Sequence, residues 1–121
     1  MAENHRNFKT INFRGKERPL GFKVVTKNLC SLGLRKNPNI LQFALGQWFY
    51  LDKEDICFGK GDWGGIWAAR TQSNAFKLQD YMFEKYSNET RVFKAALGDI
   101  LYHNSYRIKT SGLCMFEEIE R

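Results

Sequence analysis

The apolar residues of this chain fall into short runs broken by turn-forming residues, and only one stretch repeats with a helical period. Residues 20–26 (LGFKVVT) carry Phe22, Val24 and Val25, the aromatic and β-branched mixture of a strand. The following segment predicts a turn or short helix with a bend at Gly33. Residues 35–39 (RKNPN) then predict a loop, since Pro38 restricts both itself and Asn37. Residues 47–51 (QWFYL) predict a second strand and residues 66–69 (IWAA) a third. Ala75, Leu78, Met82 and Tyr86 recur at spacings of three, four and four, which predicts one helix over residues 74–86 with Ser73 as N-cap and Asn88 near its stop. Residues 90–97, 102–110 and 113–119 predict three closing strands, with turns at Gly98-Asp99 and Ser111-Gly112. The expected fold class is therefore α+β, a mixed or mainly antiparallel sheet with at least one packed helix.

Residues 1–18 lack this periodicity and predict a flexible basic tail ended by Pro19, leaving residues 19–121 as one compact domain. At 121 residues, 43% hydrophobic and rich in Phe, Tyr and Trp, the chain has the composition of a globular protein with its own core. The formal net charge is +6, but Arg6, Lys9, Arg14, Lys16 and Arg18 stand against only Glu3 and Glu17 in the first eighteen residues. Half of the excess thus belongs to the expected tail, either as a solvated segment or as an arm for a polyanion.

Cys30, Cys57 and Cys114 are isolated and odd in number, which points to free thiols and a cytoplasmic setting. The N-terminus has no signal-peptide pattern, and no apolar run reaches membrane-spanning length, so no membrane partner is expected. Only His5 and His103 could join a metal site, and neither belongs to a ligand motif, so no metal is assigned. No Ser-His-Asp assembly can be assigned either.

The candidate chemistry lies in two segments. Gly61-Asp62-Trp63-Gly64-Gly65-Ile66-Trp67 combines backbone freedom with two indoles, although it is neither a dinucleotide fingerprint nor a P-loop. Trp63 and Trp67 can stack on a ring while loop amides approach an anion; alternatively the glycines serve only a tight turn beside a packed Trp67. Residues 102–109 (YHNSYRIK) place Arg107 and Lys109 on one face of a strand, with Tyr102, His103 and Tyr106 nearby. Arg70, just ahead of the helix start, either completes a small anion site or only decorates a loop, and Arg35 and Lys36 read as a solvated loop pair rather than a second positive wall. The candidate ligand-binding residues are therefore Trp63, Trp67, Arg70, His103, Tyr106, Arg107 and Lys109.

Residues 65–75 (GIWAARTQSNA) resemble the Gly-aromatic-Ala, Ser-containing strand-to-helix segment of ADP-ribosyltransferases. Residues 95–101 (AALGDIL) are similar to the strand and turn that follow it in the poly(ADP-ribose) polymerase branch. The resemblance implies a split sheet with NAD in a cleft, a ring-stacking role for Trp67 and a structural one for Ser73. It departs from the family at residues 21–26, which have neither the expected His nor Arg, while Glu117, Glu118 and Glu120 lie at the C-terminus without a clear match to the catalytic Glu. The leading expectation is a noncatalytic domain binding a nucleotide-like or other anionic small molecule, NAD or a related nucleotide among them. The alternatives are NAD-dependent ADP-ribosyl transfer, single-stranded nucleic-acid binding and a homo-oligomeric structural role.

Overall fold

The computed structural model describes residues 8–33 and 40–121, so the expected loop with Arg35 and Lys36 lies outside the described residues. Eight strands and one α-helix follow in the order β1 (Thr10–Phe13), β2 (Lys16–Thr26), β3 (Trp48–Tyr50), β4 (Ile66–Ala69), α1 (Gln72–Tyr86), β5 (Thr90–Leu97), β6 (Ile100–His103), β7 (Arg107–Thr110) and β8 (Gly112–Ile119). The strands form one sheet in the order β3-β8-β5-β2-β4-β7-β6, with β1 on β2, and every pairing is antiparallel. The expected α+β class with a packed helix is what the chain adopts.

Several expectations are corrected. Residues 10–18, assigned to the tail, are structured: β1 and β2 make a hairpin through Arg14 and Gly15, and both turn residues have positive φ. Pro19 does not end a lead-in but sits inside β2 opposite Thr10, where its missing N–H costs nothing because pairing with β5 starts only at Leu20. Residues 102–110 are not one strand. The Asn104 side chain accepts hydrogen bonds from the amides of Tyr106 (2.8 Å) and Arg107 (3.0 Å), folding the chain back between β6 and β7.

A further correction concerns the helix cap. Thr71, not Ser73, is the N-cap, its hydroxyl accepting from the Asn74 amide at 3.1 Å. Ala75 and Met82 are buried as the spacing predicts, but Tyr86 is exposed and packs edge-on to Tyr81. Ser87 in the left-handed conformation closes the helix, one residue before the expected Asn88.

Gly98-Asp99 and Ser111-Gly112 are opposite sides of one bend rather than two hairpin turns. The Gly98 amide donates to the Gly112 carbonyl (2.8 Å) and the Ser111 amide to the Asp99 carbonyl (3.0 Å), so pairing runs on through the corner. The Ser111 hydroxyl accepts from the Asp99 amide, and the Thr110 hydroxyl donates to the Asp99 carbonyl. Strands β5–β6 and β7–β8 are thus the two arms of one long bent hairpin. Its first half pairs with β2 and β3; its second half pairs with β4.

Alternation along the strands divides the core into two layers. Val25, Ile66, Ala68, Phe93, Ala95, Leu97, Ile108, Leu113 and Met115 fill the concave side, joined by Phe43. Leu20, Phe22, Val24 and Val92 point to the other side and meet Ala75 of α1. Helix α1 therefore lies over β2, β4 and β5 and brings its N-terminal turn to the end of β4.

The cap assignment predicts that Thr71→Ala lowers stability by about 1 kcal/mol, whereas Ser73→Ala changes it by less than about 0.5 kcal/mol. Urea unfolding of both variants checks this, and the reverse ranking would restore Ser73 as the cap.

Candidate functional site

Strand β2 meets β4 at one paired position only, Phe22 opposite Ala69, although it pairs with β5 along seven. Beyond Phe22 the two strands part, and a cleft of about 390 Å³ opens between them. Its floor and walls are mainly apolar, from Val24, Leu32, Leu41, Ile66, Ala68 and Leu78. Polar groups enter from every side: Lys23 from β2, Asp62 from the glycine-rich loop, Asn74 and Lys77 from α1, and Tyr106 and Arg107 from the β6–β7 turn and β7. The Leu20 and Thr26 amides both donate away from β5, to Lys9 and Cys30. Val24 has the same parity, so its peptide amide is directed toward the cleft.

Lys23 is the unusual element. It shares the inward parity of Val25, is only 8% exposed, and has its ammonium 5.6 Å from the centre of the Phe43 ring. Divergence of the strands takes the Trp67 carbonyl out of reach of β2's backbone, and Lys23 Nζ donates to it at 2.6 Å. Burial pushes this amine down from 10.5 to about 8. Among the described residues no carboxylate forms an ion pair with it.

Arg107 and Trp67 form the second feature. The guanidinium lies 3.8 Å from the centre of the indole ring and 3.8 Å from Asp62, which holds it flat across the cleft mouth. The indole N–H donates to the Asp62 carbonyl at 3.2 Å, so one loop residue positions both groups. That loop is tightly packed. A Cβ on Gly64 would lie 2.3 Å from that of Cys57, and one on Gly65 would lie 2.4 Å from the Lys109 stem.

Of the residues singled out in the sequence, Trp67, Tyr106 and Arg107 come together at this cleft. The others do not. Trp63, 55% exposed, lines a separate groove with Glu54, Asp55 and Cys57. Lys109 is fully buried, and its ammonium donates to the Gly59 carbonyl at 3.0 Å, so it ties down the glycine loop. Arg70 donates to the Asn104 carbonyl at 2.6 Å and lies 3.5 Å from His103 Nδ1, with Phe8 against both side chains. That pair braces the β6–β7 turn. Glu117 and Glu118 project from β8 to Lys94 and Arg91, and the carboxylate that lines the cleft is Asp62.

Sequence reasoning missed Lys23, Asn74 and Lys77. A lysine on the inward parity of an apolar strand was a usable signal for the first; the other two depend on where α1 docks. Among the described residues no group of His, Cys, Asp and Glu is placed to hold a metal ion, and no helix is long and apolar enough to cross a membrane. The chain matches no protein-family model, and no curated protein or solved structure is significantly similar to it.

The depressed Lys23 amine has a defined effect on stability. Below about pH 8 the folded and unfolded chains both carry the proton, and folding bears the full cost of burying the charge. Between about pH 8 and 10.5 the folded chain gives up the proton while the unfolded chain keeps it, so stability rises with pH. Stability of the natural chain relative to Lys23→Met should therefore climb by on the order of 3 kcal/mol from pH 7 to above pH 10, at about 1.4 kcal/mol per unit. Parallel urea titrations check this, and a pH-independent difference would mean that the amine is solvated.

Proposed function

We propose that this chain binds a small anionic molecule with a planar or apolar body, of the nucleotide class, in the cleft between β2 and β4. The observation that carries the reading is the Lys23 ammonium, buried among apolar walls with no carboxylate paired to it among the described residues. A buried charge without a counter-ion is costly, and an anion entering the cleft would supply one. Arg107 and Lys77 at the same cleft add donors for a phosphate or carboxylate. The mostly apolar lining suits the body of the ligand, and Trp67 offers a ring surface beside it. Binding without turnover accounts for these features. Transfer chemistry would need an acid at the reacting ribose, a role for which Asp62, engaged with Arg107, is the cleft's candidate.

Native mass spectrometry of the freshly purified chain, before and after addition of adenosine monophosphate and NAD, tests the reading. One retained or added nucleotide per chain is expected, with intact NAD recovered. Arg107→Gln should weaken binding by about tenfold or more, the loss of one charge-assisted hydrogen bond. A folded sample that binds neither compound would overturn the proposal, and release of nicotinamide would replace it with the transferase alternative.

A further inference from the structure

Lys23 is more than a counter-ion in this setting, because its side chain lines the cleft and ends in a primary amine, which is also a nucleophile. We propose that Lys23 Nζ forms a reversible imine with small aldehydes that carry an anionic group, held in the β2–β4 cleft. This deepens the binding reading above and rests on the same cleft.

The geometry supplies what the reaction requires. Hydrogen bonding to the Trp67 carbonyl at 2.6 Å fixes the amine at the side of the cleft, on the inward parity of β2. The surrounding walls, Val24, Ile66, Ala68 and Leu41, are apolar and limit the water that would return an imine to its parts. Charged and titratable groups lining the same cleft are Asp62 from the loop, Lys77 from α1, and Tyr106 and Arg107 from the β6–β7 turn and β7. Asp62 is engaged by Arg107, which leaves the amine without a carboxylate to hold its proton. Burial has a consistent effect, lowering Lys23 to about 8 and raising the share of neutral amine near neutral pH. Lys109 is fully buried and likewise donates to a carbonyl, that of Gly59, but unlike Lys23 it does not line the cleft.

The bond changes balance without an external oxidant or reductant. The nitrogen lone pair attacks the aldehyde carbon and the carbonyl electrons move to oxygen, which takes a proton from the nitrogen. The nitrogen lone pair then expels that hydroxyl, which takes a proton from solvent and leaves as water, and a protonated C=N bond remains. The protonated imine keeps a positive charge in the cleft, so the ligand's phosphate or carboxylate still finds a cation there, with Arg107 and Lys77 as further partners.

Pyridoxal phosphate, a planar anionic aldehyde, is a suitable probe, and pyridoxine phosphate is its counterpart with an alcohol in place of the aldehyde. The full chain is incubated with substoichiometric pyridoxal phosphate, reduced with borohydride to lock the adduct as a secondary amine, digested and mapped by mass spectrometry. Lys23 should be modified about tenfold or more above the exposed lysines outside the cleft, since each unit by which its pKa is lowered gives about tenfold more neutral amine. Lys23→Arg, which keeps a donor for the Trp67 carbonyl, should lose that adduct, and the natural chain should bind pyridoxine phosphate by calorimetry. Labelling spread over exposed lysines, with Lys23 unmodified, overturns the imine proposal. If pyridoxine phosphate binds in that case, the cleft reading stands alone; if it does not bind, both fail. Selective labelling of Lys23 without pyridoxine phosphate binding supports the imine and removes the noncovalent reading for this ligand class.

Discussion

The bend in the long β5–β6/β7–β8 hairpin is the constraint on which the rest of the structure depends. Strand β2 is tied to the half of the hairpin before the bend, and β4 to the half after it. The two strands therefore cannot stay parallel to each other's edges. They touch at Phe22 and Ala69 and then separate, and the wedge between them is the cleft. The Ser111 hydroxyl holds the corner by accepting from the Asp99 amide, and the Thr110 hydroxyl adds a second donor to the Asp99 carbonyl that the Ser111 amide already pairs. A local feature of hydrogen bonding thus sets the largest-scale property of the sheet.

Separation of the strands has an electrostatic consequence. A carbonyl of β4 would lack a partner, and Lys23 reaches across to supply one. The amine satisfies that carbonyl at the cost of placing an ionisable group among Phe43, Ile66 and Val24, with only burial acting on its proton affinity. Structure and chemistry meet in this residue. The same side chain that bridges the opening carries an amine whose proton affinity burial lowers to about 8. On the opposite wall, Asp62 orients Trp67 through its carbonyl and Arg107 through its carboxylate.

Much of the local structure was legible in the sequence. Strand β4 at Ile66–Ala69 and strand β5 at Thr90–Leu97 coincide with their expected spans, β4 because its burial alternates and β5 because it is a short, mainly apolar run buried on both faces. The helix was legible from one apolar stripe, although its cap moved by two residues, since Thr71 and Ser73 are chemically equivalent candidates and only backbone geometry separates them. The β1–β2 hairpin was not legible. Its turn and the start of β2 carry Arg14, Lys16, Glu17 and Arg18, and what orders them includes β1–β2 pairing and long-range stacking such as Arg18 over Trp48 and Phe13 against Phe116.

By itself, then, the sequence determined the class of the fold and most of its elements, and it singled out Trp67, Tyr106 and Arg107, which the fold brings to one cleft. Periodicity carries that information because it reflects which face of each element is buried. Tertiary structure alone decided that Lys109 and Arg70 are braces while Lys23 and Lys77 line the cleft. A lysine or arginine has the same local pattern in either role. What distinguishes them is which carbonyl lies within reach and which wall is missing, and both are fixed by the bend that separates β2 from β4.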